Sequence, residues 1–352
     1  MKNLLIDIYK IKELHSGLGQ FSLNFTNEIT EQKHAELRLK FLVPIGIDKK
    51  ILPAIPSENL IQTNFQKRYF PSFNKKFFVW HSLHQFPSFL PNRNTKWILT
   101  VHDLNFMLEK TKPKAEKYLR RLQKNINHAD CVTAISHFTK REIEKNIDLK
   151  GKIVQVIHNG IAEHESLKSM KPDFISGNKF FFSIGIFNRK KNFHVLLNMM
   201  KDFDDYQLII AGNNDTDYGN EIREEIIRLN LQHKIILCGR ISDEEKFWLY
   251  ENCSAFLFPS LAEGFGMPVI EAMKAGKPVF LSQAASLPEI GGEYAFYFDS
   301  FEETEMKNFI QQKLNYFEAN KEKLLVEIKN HADLFTWRKC VSEYLNLYQK
   351  II

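Results

Sequence analysis

The chain has 352 residues, ordinary hydrophobic (44%) and charged (26%) fractions, and a net charge of +6. That length exceeds a usual single core, so two domains are expected. The longest apolar runs fall far short of a membrane span, and no low-complexity segment or short-period repeat is apparent, which argues against a transmembrane, fibrous or solenoid protein.

Charge is uneven along the chain. Residues 1–170 carry 27 Lys and Arg against 16 Asp and Glu, a surplus of 11, so the remainder is negative by 5. A basic half of this kind meets an anionic glycan, a lipid surface or nucleic acid, or is simply a solvated Lys-rich surface. Scattering of the cations favours the last. Cys131, Cys238, Cys253 and Cys340 form no C-x-x-C pair and sit among apolar residues, so they read as buried free thiols in a reducing compartment. The segment MKNLLIDIYKIKEL lacks an h-region and a cleavage site. A cytoplasmic protein, peripheral to the inner face of the membrane, is the expectation.

In chain order, the first half alternates strands (residues 3–8, 39–43, 97–101, 131–135, 153–157) with helices (21–32, 113–127, 137–145), and Ser136 is placed to cap the last helix. Residues 44–89, rich in Pro, Asn and aromatics with weak periodicity, read as loops and short elements. The polar stretch 163–177 reads as the linker. A second set follows, with strands at 180–184, 207–211, 235–238, 255–258, 279–282 and 295–298. Helices at 193–200, 219–229, 243–250, 268–275 and 304–314 alternate with them, and a last helix spans 336–350. Strand–helix alternation argues parallel sheets with right-handed crossovers and ligands at the strand C-termini. The expected division is 1–170 with 336–352, and 171–335.

Several residues stand where chemistry is placed in such folds. Gly17 and Gly19 follow the first strand and permit close backbone approach to a phosphate. No third glycine follows and no acidic residue has the dinucleotide spacing, so a nicotinamide cofactor is disfavoured. His102-Asp103 follow an apolar strand, where His102 reads as a hydroxyl or reaction-centre contact and otherwise as filler beside an Asp turn. Gly185-Ile-Phe-Asn-Arg189-Lys190-Lys191 sets three cations in a strand-to-helix loop, suited to neutralising a diphosphate leaving group. A loop lysine rarely carries packing, so loss of Lys191 is expected to cost turnover and leave folding intact. Ala255–Pro259 leads through Glu263, Gly264, Phe265 and Gly266 into a helix with Pro268 near its start and Gly276 just past its end. That open helix end suits a phosphate, and Glu263 and Glu271 suit sugar or ribose hydroxyls. The bland alternative for such a Glu is complementing the helix dipole.

The string E-G-F-G followed by M-P-x-x-E-A-M-x-A-G, from Glu263 to Gly276, resembles the donor-site signature of the retaining glycosyltransferases of family four. The loop ending Arg189-Lys190-Lys191-Asn192 resembles that family's G-x-L-x-x-R-K-N form. The Gly17–Gly19 pair resembles its N-terminal glycine loop, and His102 its donor-contacting histidine. Residues 134–141, 156–161 and 286–292 resemble it more loosely and read mostly as packing and turns. Many members carry Arg directly after the glycine at Gly185, where this chain has Ile186, so Arg189 or Lys190 is left to supply that role.

The resemblance, running from Gly17 to about Trp337, implies the GT-B fold: two Rossmann-like doubly wound parallel-sheet domains, an interdomain cleft and a C-terminal helix crossing back. It implies sugar transfer from a nucleotide-sugar with retention. Lys191 with Lys190 or Arg189 would act on the diphosphate, Glu263 on the sugar, and Glu271 on the ribose. Gly239 and Ile241 would lie near the base. The forms H-D-L, R-K-N and S-L-P-E are similar to mannosyltransferase-like members, which puts GDP-mannose ahead of a UDP-sugar. The expected acceptor is a surface-polysaccharide or lipid-linked glycan. No cofactor and no metal are expected: no D-x-D stands where a metal-dependent glycosyltransferase needs it, and His81 and His84 read as acceptor-side or surface histidines. Two rivals remain. A nucleotide-sugar 2-epimerase of the same fold would convert donor with no acceptor present. A nucleic-acid-binding or anionic-surface protein would show steep salt dependence, and no aromatic-basic motif supports it.

Overall fold

A computed structural model of the chain describes residues 2–14, 16–32, 37–63, 77–161, 169–177 and 179–352. The chain divides into two compact units, Met1–Ala162 with Thr336–Ile352, and Glu163–Phe335.

In the first unit the strands are β1 (Lys2–Asp7), β2 (Leu37–Pro44), β3 (Leu60–Thr63), β4 (Val79–Ser82), β5 (Lys96–Val101), β6 (Cys131–Ala134) and β7 (Val154–Val156). They form one parallel sheet in the order β3-β2-β1-β4-β5-β6-β7. The order reverses direction between β1 and β4. Alternate residues of each strand serve opposite faces. Leu4 and Ile6 of β1 join one core with Phe21, Phe25 and Tyr344, while Leu5 joins a second with Trp80, Leu99 and Leu122. Both faces are therefore covered, as an all-parallel sheet requires. Helices α1 (Gly17–Glu31) and the last helix, α12 (Trp337–Ile351), cover the first face. Helices α2 (Phe106–Glu109), α3 (Lys112–His128) and α4 (His137–Asn146) lie between β5 and β7 in the chain, and Ser136 caps α4 by accepting from the Thr139 N–H.

Two strands of this sheet fall in residues 44–89, expected to be loops and short elements. β4 occupies the centre of the sheet, yet its sequence is Val-Trp-His-Ser. Polar His81 and Ser82 hide the strand from any hydropathy pattern. They are tolerated because distant residues satisfy them: His81 Nδ1 bonds Tyr348 Oη at 2.6 Å and its Nε2 bonds Thr100 Oγ1 at 2.8 Å. Ser82 Oγ accepts from the Trp97 indole at 3.0 Å. Thr100, Thr133 and Tyr344 hydroxyls complete the network at 2.9–3.0 Å. Burial pushes the His81 ring down to about 3, so it is neutral. His84 is also buried, and burial pushes it likewise to about 3. Of the two readings expected for these histidines, acceptor-side or surface, burial overturns the surface one.

The second unit holds β8 (Phe180–Ile184), β9 (Gln207–Ala211), β10 (Ile235–Gly239), β11 (Ala255–Phe258), β12 (Val279–Leu281) and β13 (Phe296–Tyr297). These form a parallel sheet in the order β10-β9-β8-β11-β12-β13, which reverses between β8 and β11. Its helices are α5 (His194–Met199), α6 (Asp217–Arg228), α7 (Asp243–Asn252), α8 (Met267–Lys274), α9 (Leu287–Gly291), α10 (Glu303–Ala319) and α11 (Lys321–Ala332). Short α9 and all of α11 went unread in the sequence, the latter because residues 321–332 bury only Ile328 and Ala332. The cysteines are free; Cys253 and Cys340 are buried, while Cys131 and Cys238 are half-buried, short of the burial expected. No helix among the described residues is long and apolar enough to cross a membrane. The two Rossmann-like parallel-sheet units are those of the GT-B architecture.

Tyr348→Phe should leave a buried imidazole nitrogen of His81 unpaired. Leaving such a group unsatisfied costs about 1–3 kcal/mol, and a drop in the thermal midpoint checks it. An unchanged midpoint would mean that water reaches His81.

Candidate functional site

In open parallel sheets, ligands gather where the strand order reverses, beyond the strand C-termini. In the second unit this point is flanked by β8 and β11. The loop after β8 carries Gly185 and the three cations, and the loop after β11 carries Glu263 to Gly266.

Lys191 and Glu263 meet across this point. Lys191 Nζ donates to Glu263 Oε1 at 2.6 Å, and the side chains are only 11% and 14% exposed. Lys191 Nζ also stands 4.5 Å from the centre of the Phe258 ring, in cation–π range. A Cβ at Gly185 would sit 2.6 Å from Lys191 Cε, so glycine there makes room for the lysine stem. Ser260 Oγ donates to Glu263 Oε1 at 2.6 Å and lies 3.2 Å from the Lys190 carbonyl, which also accepts from the Leu261 N–H at 2.7 Å. Burial alone would raise the Glu263 carboxyl. The charge and hydrogen bond of Lys191, the Ser260 hydroxyl and the charge of Lys190 outweigh it and hold the group below its ordinary value. Glu263 is therefore a carboxylate, an acceptor only.

The three cations part company. Arg189 is exposed, turns to α6 and bonds both oxygens of Glu221 at 2.7 Å. It helps line a cavity of about 270 Å³ with His194, Tyr218 and Glu225. Lys190 and Lys191 act on Glu263. Ile186, in place of the arginine, is an exposed apolar residue.

Helix α8 starts after Gly266, its N-cap in left-handed backbone (φ 106°), with no side-chain cap and no acidic residue in its first turn. Glu271 lies in the second turn, so complementing the dipole is not its role. It accepts from Tyr250 Oη at 2.8 Å and Lys246 Nζ at 3.3 Å, both from α7. Burial and the Glu271 charge raise Tyr250 well above its ordinary value, and Glu271 raises Lys246. Ser260, Tyr250 and Lys246 were not singled out in the sequence, although Lys246 and Tyr250, four residues apart, share a helix face. Phe265 is buried against Phe335, and the Ser286 hydroxyl spans the carbonyls of Glu263 (3.0 Å) and Phe265 (2.8 Å). That span holds Gly264 between fixed neighbours. Gly239 and Ile241 lie at the C-terminal end of β10, the edge strand two places from the reversal.

In the first unit the reversal lies between β1 and β4. Gly17 opens α1, and a Cβ at Gly19 would lie 2.1 Å from the Glu13 carbonyl. The close approach at Gly19 is thus to its own chain. His102 is buried at the end of β5, with Nε2 2.7 Å from the Leu83 carbonyl. Because a carbonyl only accepts, Nε2 carries the proton and Nδ1 is left as the acceptor. Burial pushes His102 to about 4, so it offers a neutral ring rather than a cation. Asp7, at the end of β1, accepts from the Tyr9 N–H at 3.0 Å, while its buried Oδ2 has no partner among the described residues.

Residues 165–333 match the family model of glycosyl transferases group 1, and residues 47–165 that of glycosyltransferase family 4. An uncharacterized glycosyltransferase of Methanocaldococcus jannaschii is 27% identical over 77% of this chain and 75% of its own. The O-antigen chain mannosyltransferase RfbU of Salmonella typhimurium is 23% identical over 88% of this chain and 90% of its own. Among solved structures, sucrose-phosphate synthase from Thermosynechococcus elongatus superposes with a TM-score of 0.76 at 17% identity, covering 100% of this chain and 99% of that one.

Two predictions follow from burial. Truncating one partner of a buried pair costs about 3–5 kcal/mol because the other charge is stranded. Lys191→Ala is therefore expected to lower stability as well as turnover, which corrects the expectation of intact folding. Lys191→Met with Glu263→Gln should recover much of the stability and none of the activity; a double variant as unstable as the single one would deny the coupling. For Asp7, burial lifts the carboxyl to about 7, above the unfolded value of about 3.9. The folded state then binds the proton more tightly, so this contribution is present at acid pH and is lost as pH climbs toward 7. The midpoint of Asp7→Asn relative to the parent should rise between about pH 4 and pH 7 and level off above; a flat difference would place Asp7 in water.

Proposed function

We propose, because this chain belongs to glycosyltransferase family four, that it moves a mannosyl residue from GDP-mannose to a lipid-linked or surface-polysaccharide glycan with retention at the anomeric carbon. The observation that carries the reading is the buried Lys191–Glu263 pair, joining the two strand ends that flank the sheet reversal. A fixed ammonium in a site shielded from water stabilises charge developing on a departing diphosphate. Lys190 adds to that charge, and the uncapped first turn of α8 supplies N–H groups of the same sign. Glu263, held ionised, accepts from sugar hydroxyls and keeps Lys191 in place. It is not a proton donor at neutral pH.

Glu271 is the ribose acceptor in this reading. A carboxylate has about four lone-pair directions, and Tyr250 and Lys246 take one each. Those two bonds fix its rotamer, which lowers the cost of binding. The choice of mannose is supported by likeness to the O-antigen mannosyltransferase across most of the chain. Transfer rather than epimerisation is supported by the same likeness.

A thermal-shift panel of GDP, UDP, GDP-mannose and UDP-glucose, run in EDTA, tests the reading. Guanine nucleotides should raise the midpoint by mass action, and transfer activity should persist without metal. Glu271→Gln should weaken nucleotide binding more than it slows turnover. Stabilisation by uridine nucleotides alone would replace the donor. Conversion of donor with no acceptor would make the protein an epimerase.

A further inference from the structure

The first unit carries a basic and apolar surface just beyond the strand end that holds His102. Between residues 109 and 124 the chain has seven Lys and Arg against Glu109 and Glu116, a clustering that the scattered appearance of the cations in sequence conceals. Helix α3 sorts them. Leu122 and Ile126 face the core. Lys114, Lys117, Arg121 and Lys124 recur at steps of three, four and three and are exposed. At 3.6 residues per turn they lie within an arc of about 90°, away from the buried face.

Short α2 sets apolar groups beside this stripe. Phe106 is buried against Phe86 and Tyr118, with ring centres 5.6 Å from each. Anchoring Phe106 turns Met107 and Leu108 outward, and Leu108 is 75% exposed. Every residue from Met107 to Lys114 is exposed. Lys112, Lys114, Lys117 and Lys124 form no ion pair among the described residues.

We propose that α2 and α3 dock the first unit on an anionic lipid bilayer, with Met107 and Leu108 entering the interface and the α3 lysines facing lipid phosphates. Charge complementarity selects an anionic surface, and four to eight cations on an amphipathic helix suffice for one. The exposed leucine selects lipid over nucleic acid, because a phosphate backbone has no use for it whereas the acyl boundary does. The surface follows directly on the β5 end, so docking brings that end toward a lipid-linked acceptor. In that purpose the inference rests on the transferase reading; the docking itself does not.

The test is co-sedimentation of the full chain with vesicles of phosphatidylcholine alone or with phosphatidylglycerol, across a salt series. Binding should need the anionic lipid and fade as salt rises. K114Q/K117Q/K124Q should reduce partitioning on the order of 10²-fold at low salt and flatten the salt slope, at about 1 kcal/mol per cation removed. L108S should weaken binding and leave the slope unchanged. All four positions are exposed, so both variants should fold, as circular dichroism would show. Absence of binding at low salt, indifference to the triple substitution, or tighter binding to single- or double-stranded DNA than to vesicles would overturn the proposal. Transfer to a soluble acceptor, measured separately without lipid, tells failure of docking from failure of the transferase reading.

Discussion

A lysine and a glutamate removed from water face each other across the point where the second sheet reverses its strand order. Desolvating both charges costs several kcal/mol, and their attraction recovers that only with good geometry and further hydrogen bonds. The surroundings meet the condition. Gly185 has no side chain to displace the lysine stem, Phe258 presents a ring face to the ammonium, and Ser260 donates to the carboxylate. The Leu261 N–H also donates to the Lys190 carbonyl at 2.7 Å, so the two loops are joined by backbone as well as by charge. A well-packed apolar pair would stabilise the fold at least as well. A charged pair there is better explained by what a fixed cation does for a leaving diphosphate.

The first unit buries polarity for a different purpose. His81, Thr100, Thr133, Tyr344 and Tyr348 bond one another in the interior, and no ligand is needed to explain them. Two hydroxyls come from the last helix of the chain and the remaining groups from three strands. Apolar contact alone would let α12 slide along the sheet. Directional bonds to the centre of the sheet set its register, because each shift along the axis strands several buried groups at once.

The fold was legible where burial leaves a compositional mark. Ala255–Phe258 is a continuous apolar run and Phe180–Ile184 is broken only by Ser183, and their strands have the bounds read from the sequence. β4 was illegible because its polar residues are satisfied by partners 15 to 267 residues away. α11 was illegible because few of its side chains are buried. The loops of the candidate site were legible as charge next to glycine at strand ends. Their pairing was not: nothing local distinguishes Lys191, buried against Glu263, from Arg189, exposed on Glu221. Asn192, in left-handed backbone (φ 58°), ends the short turn that carries both.

The separation of Arg189 from Lys191 bears on how the chain manages without an arginine at Ile186. A guanidinium bridging two carboxylate oxygens on an exposed face gains little, because solvent screens it. Glu221 therefore holds Arg189 loosely. The charge of Lys190 acts on Glu263, and its carbonyl is tied to the β11 loop. The cation nearest in effect to the buried pair is thus the one whose backbone belongs to the same hydrogen-bonded loop. In the proposed transferase reading, position in that loop, more than guanidinium chemistry, favours Lys190 over Arg189 for the role of the missing arginine.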